Sequence, residues 1–164
     1  MKSLSFYVHL LANRVFWAIA RPIRQLYRLV ARPELRGVKC VVMHEDAVLL
    51  VRINYGHRSW TFPGGGVNRG ETWLAAALRE TEEETGIRLL DAVFVGEYRR
   101  VDRYTQGTTQ VFQATLHARQ EPVADGIEIA ETRWFTFDQL PANRVSRVDE
   151  TIAAFVSRPP RPTR

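Results

Sequence analysis

The sequence has few of the features that mark secreted, fibrous or membrane-spanning proteins. Its 164 residues contain one cysteine, Cys40, so no disulfide can form within the chain. Cys40 lies in an apolar run at positions 38–43, which favours a buried structural thiol over a reactive one. Glycine and proline are not in excess, and no internal repeat is evident. With 45% hydrophobic residues, one domain with a real core is expected, and the cytoplasm is the expected compartment.

Long apolar runs are also missing, and the charge is unevenly placed. No segment reaches the roughly 20 uninterrupted apolar residues that a membrane span needs. The formal net charge is +5, of which residues 1–39 contribute +7 and residues 40–164 contribute −2. The basic character therefore belongs to an N-terminal extension, residues 1–36, and not to the domain expected at 37–157. Residues 158–164, with three prolines, are predicted to be a disordered tail.

The extension combines apolar and basic side chains at helical spacing. Large apolar residues cluster between positions 6 and 19, and Arg21, Arg24, Arg28 and Arg32 form a basic stripe, so we predict amphipathic N-terminal helices. Such helices could pack on the domain or on a second copy in a homodimer. They could instead lie in the plane of an anionic membrane surface as a peripheral contact. Nucleic-acid binding has the least support, because an arginine stripe attracts phosphate without specificity.

A glycine-rich loop followed by an acidic helix dominates the middle of the chain. Glycines at positions 64–66 permit backbone conformations closed to other residues and close approach by a ligand. The helix is predicted to run from Thr72, a good N-cap, to Thr85, with Gly86 as a stop signal. Its buried face is predicted to comprise Leu74, Ala77, Leu78, Thr81 and Thr85.

Three carboxylates share another face of this helix. Glu80, Glu83 and Glu84 stand three and four residues apart, close to the negative end of the helix dipole. Like charges at this spacing destabilise a helix by roughly 0.2–0.5 kcal/mol per pair. A solvated acidic patch is one interpretation. The other is a site for a hard divalent cation, which binds clusters of oxygen ligands.

The spacing of glycine, glutamate and arginine in this stretch distinguishes the two interpretations. From Gly65 to Ile87 the chain resembles the Nudix box, G-x5-E-x7-R-E-U-x-E-E-x-G-U, where U is a bulky aliphatic residue. All seven fixed letters match. The one departure is Thr81, where the family prefers Ile, Leu or Val, and we expect a small packing loss there.

The resemblance implies an enzyme that hydrolyses a nucleoside diphosphate linked to another moiety and uses Mg²⁺ or Mn²⁺. One of the box glutamates, or an acid elsewhere, would orient or deprotonate the attacking water. Glu71 and Arg79 would pair to hold the loop against the helix. The metal ligands carried over by position are Gly65 through its carbonyl, Glu80, Glu83 and Glu84, with Glu128 completing the set and Glu131 as its alternative.

The same resemblance predicts the fold, an α/β (α+β) Nudix sandwich with a mixed sheet between helices. Strands are predicted at 38–43, 47–53, 89–101 and 108–117, with a hairpin closed near Gln106-Gly107. A late strand is predicted at 128–135, and a final helix has Val145, Val148, Ile152 and Phe155 on its apolar side. No strand-GxGxxG-helix unit of the dinucleotide-binding type is present.

Side chains for a nucleotide-type substrate are expected before and after the box. The candidates are Arg52, Tyr55, Arg58, Trp60, Arg99 and Arg103. For Trp60, core packing is the competing interpretation, and arginines at an exposed turn can serve solubility alone. Two other functions remain open: a diphosphate-binding module without turnover, and a prenyl diphosphate isomerase, which needs a cysteine near the site. The box does not choose among nucleotide substrates.

Overall fold

The computed structural model describes residues 34–101 and 106–156. The predicted N-terminal helices, Arg103 and the predicted tail lie outside these residues. The chain divides into two compact units, residues 36–99 with 108–164, and residues 1–35 with 100–107. The described elements are β1 (Glu34–His44), β2 (Ala47–Ile53), β3 (Trp60–Thr61), α1 (Trp73–Thr85), β4 (Val93–Val101), β5 (Gln106–Thr115), β6 (Ile129–Thr136) and α2 (Ser146–Phe155). Among these described helices, neither is long and apolar enough to cross a membrane.

The strands form one mixed sheet in the order β3-β2-β1-β5-β4, with β6 paired to β2. β2 runs antiparallel to β1, β3 and β6. The contacts between β1 and β5 advance in the same direction along both strands. Gly37 lies beside Thr109, and further on the Leu116 N–H donates to the Met43 carbonyl at 2.8 Å. β1 and β5 are therefore parallel, and the predicted mixed sheet is confirmed.

Alternation along β1 and β2 places a hydrophobic core on each face of the sheet. In β1, Val38, Cys40 and Val42 belong to the core that includes Ala76 and Ala77 of α1. The intervening residues, Val41 and Met43, belong to the core that includes Val148 and Ile152 of α2. The two helices thus cover opposite faces, which confirms the predicted α/β/α sandwich.

The region after α1 differs from the prediction in two places. β4 begins at Val93 and not at Leu89, because Leu89 and Ala92 turn into the core beside α1 and leave the strand pattern. β4 and β5 are neighbours in the sheet, as the predicted hairpin requires, but Gln106 and Gly107 are the first residues of β5 and not its connection. Glycine also occurs inside strands where another backbone comes close. A Cβ at Gly107 would come 3.0 Å from the Leu35 carbonyl oxygen.

Candidate active site

Helix α1 begins and ends where its local signals predict. The Thr72 hydroxyl accepts a hydrogen bond from the Ala75 N–H at 3.1 Å, which caps the first turn. Gly86 adopts a left-handed conformation, with φ of 69°, and its N–H donates to the Glu82 carbonyl. These two contacts set the register of the helix and so decide the direction of each carboxylate.

Two threonines anchor the buried face of α1. Thr81 and Thr85 have no exposed surface. The Thr81 hydroxyl donates to the Ala77 carbonyl at 2.7 Å, and the Thr85 hydroxyl donates to the Thr81 carbonyl at 2.6 Å. The threonine that departs from the box pattern is therefore accommodated, because its polar group is satisfied within the helix. Ala76 is also buried, which the predicted face did not include.

The glycine-rich loop runs antiparallel to the first half of β1. The Val38 N–H donates to the Gly65 carbonyl and the Cys40 N–H to the Pro63 carbonyl, both at 2.9 Å. A Cβ at Gly64, where φ is 135°, would come 2.2 Å from the Val38 carbonyl oxygen. Only glycine can approach β1 so closely. The Gly65 carbonyl is already engaged by Val38, and its role as a metal ligand stays a prediction.

Three carboxylates gather where this loop meets α1. The Gly64 N–H donates to Glu84 Oε2 at 2.8 Å. Burial raises the pKa of Glu84 to about 7, and the charges of Glu80 and Glu128 push it in the same direction. Lys39 and the Gly64 N–H act against this rise in pKa. The negative charges of Glu80 and Glu128 therefore act on the Glu84 carboxyl, and this part of the site is rich in negative charge.

Arg79 joins the loop to the helix through a network of carboxylates. Its Nε donates to Glu71 Oε1 at 2.8 Å, and its Nη1 donates to Glu80 at 2.8 Å and to Glu83 at 3.0 Å. These hydrogen bonds, of which the one donated to Glu71 has the largest effect, hold the pKa of Arg79 above its usual value. Hydrogen bonds from Arg79 and from the Asn68 N–H lower the pKa of Glu71 to about 2. The predicted partners Glu71 and Arg79 are thus in contact.

The acidic face of α1 is divided between two environments. Glu80 is 16% exposed, whereas Glu83 is 59% exposed and pairs with Arg79 one turn earlier. Arg79 lies four residues before Glu83, the spacing at which two side chains on a helix meet. Glu80 and Glu84 therefore form the inner part of the face, and Glu83 lies at its rim.

The donor chemistry of this region fits a hard divalent cation. Glu80, Glu84 and Glu128 carry carboxylate oxygens, the type of ligand atom that Mg²⁺ and Mn²⁺ prefer. A Cβ at Gly65 would come 2.4 Å from a Glu80 oxygen, so the absent side chain makes room for this carboxylate. Within residues 34–101 and 106–156, no three His, Cys, Asp or Glu side chains converge tightly enough to hold an ion in this conformation. Metal binding would need these carboxylates to draw together.

Glu131, the alternative to Glu128 as a metal ligand, accepts hydrogen bonds from two arginines. Arg52 donates to its Oε2 at 2.7 Å through Nη2, and Arg133 donates to its Oε1 at 2.5 Å. The hydrogen bond from Arg52 is the main reason that the pKa of Glu131 is lowered. Glu128 contributes to the electrostatics of Glu84, as described above, and its assignment as the final ligand stays a prediction.

The predicted substrate-binding residues have different surroundings. Trp60 is 6% exposed and packs edge-to-face on Phe135, as core packing requires. Tyr55 and Arg58 are exposed in the loop between β2 and β3. Arg99 on β4 is exposed and lies near Glu97, and Arg103 is outside the described residues. Contact of these side chains with a substrate stays a prediction.

Lys39 is the residue of this region that sequence reasoning missed. Its ammonium group donates to the Phe62 carbonyl at 2.7 Å and to the Gly64 carbonyl at 2.9 Å. Burial lowers the pKa of Lys39, while the charges of Glu84 and Glu80 raise it. The one available signal was a lysine inside the otherwise apolar run of β1.

Comparison with known proteins gives a consistent family assignment. The family model described as NUDIX domain matches residues 33–155. A Bacillus subtilis (strain 168) protein named "Putative 8-oxo-dGTP diphosphatase" is 31% identical over 106 residues, 65% of this chain and 69% of that protein. An RNA pyrophosphohydrolase from Aeromonas hydrophila is 32% identical over 68% of this chain and 59% of its own length.

Solved structures agree with the fold. The MutT NUDIX hydrolase from Burkholderia pseudomallei superposes with a TM-score of 0.66, at 24% identity, over 74% of this chain and 98% of that one. Among the sequence relatives, a second RNA pyrophosphohydrolase, from Pelagibacter ubique, is 41% identical over 63 residues, which are 40% of its length. This chain therefore covers less than two thirds of the length of each of the two RNA pyrophosphohydrolases. The box spacing, the sandwich and the family model over 33–155 together place this chain in the Nudix family.

Proposed function

We propose that the protein is a pyrophosphohydrolase that requires Mg²⁺ or Mn²⁺ and cleaves a nucleoside diphosphate linked to another moiety. The observation that carries this proposal is the placement of Glu80 and Glu84. Backbone contacts with Gly65 and Gly64 position both carboxylates at the junction of loop and helix, near Glu128. A surface patch of solvated acids would not need contacts of this kind.

The carboxylates of Glu80, Glu84 and Glu128 would hold the cation, with Glu83 and the Gly65 carbonyl as further ligands. When bound, a divalent cation neutralises phosphoryl oxygens and lowers the pKa of a water nucleophile. Arg79 keeps the glycine loop against α1 by bonding Glu71 on the loop and Glu80 on the helix. This arrangement supports catalysis by positioning, which is the main contribution that a protein makes to phosphoryl transfer.

The names of the relatives suggest which substrates to test first. They point to oxidised purine nucleoside triphosphates and to RNA with a 5′-triphosphate. ADP-ribose and dinucleoside polyphosphates extend the panel to the other types of nucleoside diphosphate derivative. All of these substrates contain the P–O–P bridge on which the proposed chemistry acts, so chromatographic identification of both products also locates the bond that is cleaved.

The decisive experiment compares wild type with Glu84→Gln and Glu82→Gln on this panel in Mg²⁺. Glu84 lies in the carboxylate cluster, whereas Glu82 is exposed on the same helix. We expect Glu84→Gln to lower kcat/KM by about a hundredfold or more and Glu82→Gln to leave it within about twofold. No hydrolysis by wild type, or equal activity in all three proteins, would contradict the proposal.

The isomerase alternative is disfavoured by the environment of the only cysteine. Cys40 has no exposed surface, and burial raises the pKa of its thiol to about 12. Such a thiol is neither a ready nucleophile nor an accessible acid. The alternative of a binding module without turnover predicts nucleotide binding without product, which the same panel would reveal.

A further inference from the structure

Lys39 brings a positive charge from β1 to the carboxylate cluster. Gly64 connects the two: its carbonyl accepts from the Lys39 ammonium at 2.9 Å, and its N–H donates to Glu84 at 2.8 Å. The ammonium and the Glu84 carboxylate are therefore held by opposite ends of one glycine. Lys39 is also attracted by Glu80, the second inner carboxylate.

Two effects of Lys39 on a bound cation act in opposite directions. Its hydrogen bonds to the Phe62 and Gly64 carbonyls hold the loop that positions Glu84, which favours binding. Its charge repels a divalent cation placed among the same carboxylates, which disfavours binding. In a partly buried site with an effective dielectric constant well below that of water, repulsion between a single and a double charge is large. A carbonyl hydrogen bond contributes less, so the charge effect should dominate.

We propose that the charge of Lys39 weakens the affinity of the carboxylate cluster for a divalent cation when no substrate is bound. The cation is then retained chiefly when the phosphates of a substrate add negative charge. This inference rests on the proposed function, because it takes Glu80, Glu84 and Glu128 as the ligands. It assigns to Lys39 a role in metal affinity in addition to its structural role in the loop.

The test measures binding of Mn²⁺ alone to the full chain, by electron paramagnetic resonance titration without nucleotide. Lys39→Met removes the charge and keeps the length of the side chain. Lys39→Gln removes the charge and keeps an N–H donor for the carbonyls. We expect both variants to bind Mn²⁺ about tenfold more tightly than wild type. Lys39→Arg, which keeps the charge, should bind within about threefold of wild type.

The matched control is Arg36→Met, which removes a charge from an exposed position on the same strand, where the guanidinium lies over the Trp73 ring. It should leave the Mn²⁺ affinity unchanged, because exposed charges are screened by solvent and salt. Circular dichroism melting establishes that each variant is folded at the titration temperature. A purely structural role for Lys39 predicts weaker binding in the neutral variants, so equal or weaker binding by a folded Lys39→Gln would overturn the inference.

If the carboxylate cluster does not bind metal at all, the titrations would give a different result. Wild type and Glu84→Gln would then bind Mn²⁺ equally, and the inference about Lys39 would fall together with the proposed function. If Glu84→Gln weakens binding while the neutral Lys39 variants bind no more tightly than wild type, the inference about Lys39 fails alone.

Discussion

The Glu80 carboxylate lies against the backbone of Gly65, where a Cβ would come within 2.4 Å of one of its oxygens. There is therefore no room for a side chain between the backbone of the glycine loop at Gly65 and the Glu80 carboxylate. The neighbouring Gly66 offers a contrast, because a Cβ there would meet no heavy atom within 4 Å.

We predict that Gly65→Ala impairs activity far more than it impairs stability. The clash is with the end of a flexible side chain, so Glu80 can move away at small cost to the fold. Displacing a reacting group by about 1 Å can lower the rate by about a hundredfold. Steady-state kinetics should show a fall of ten- to a hundredfold in kcat/KM, with a melting temperature close to that of wild type.

Gly66→Ala serves as the control for this prediction, since it adds the same methyl group to open space one residue away. Its activity and melting temperature should match those of wild type. Equal kinetics in Gly65→Ala and Gly66→Ala would show that the position of Glu80 does not matter for turnover.

A second prediction concerns Arg79→Lys. The guanidinium bonds Glu71, Glu80 and Glu83 at once, and a lysine cannot reproduce this planar set of donors. We expect a lower melting temperature and a loss of about tenfold or more in kcat/KM. Arg99→Lys changes an arginine that is 77% exposed and should leave stability unaltered. A fully active and stable Arg79→Lys would refute the positioning role.

A third prediction follows from the lowered pKa of Glu71. Because the pKa falls from 4.5 to about 2 on folding, the folded state binds fewer protons than the unfolded state between these values. The stabilisation from Glu71 is therefore fully present above pH 4.5 and is lost as the pH falls towards 2. Urea unfolding should show that Glu71→Gln is less stable than wild type at pH 7.

The difference between Glu71→Gln and wild type should then narrow as the pH falls below 4.5. Glu121→Gln, at an exposed position, should show little difference from wild type at either pH. A difference between Glu71→Gln and wild type that stays constant from pH 7 to pH 3 would mean that the charge of Glu71 is not what stabilises the loop.

The fourth prediction is that the Cys40 thiol is inert in the folded protein. Its pKa of about 12 and its complete burial leave almost no accessible thiolate at pH 8. Ellman's reagent should react with one thiol per chain in urea and with almost none under native conditions. Cys40→Ala, which should give no colour in urea, is the control. Rapid stoichiometric labelling of the native protein would show that β1 is exposed.

The predictions that succeeded depend on interactions between residues that are close together in the sequence. Thr72 and Gly86 act on backbone groups within four residues of themselves, so the bounds of α1 could be predicted. β2 was predicted at its observed bounds because its apolar run is short and lies between a turn and a polar loop. β4 and β5 pair as the predicted hairpin requires, but its connection was predicted two residues too late, because a glycine can mark either a turn or a close approach between strands.

The sequence by itself determined the family, the acidic helix and the spacing of its glutamates, because these depend on local backbone preferences and on the order of residue types. Only the tertiary structure decided which groups meet the glutamates. Gly64 forms hydrogen bonds with Glu84, 20 positions away in the sequence, and with Lys39, 25 positions away. These contacts depend on how the loop pairs with β1 and on which face of α1 is turned towards the loop. No periodicity within a single segment encodes the pairing of two segments, and for this reason the charge of Lys39 beside the carboxylates became visible only in the folded chain.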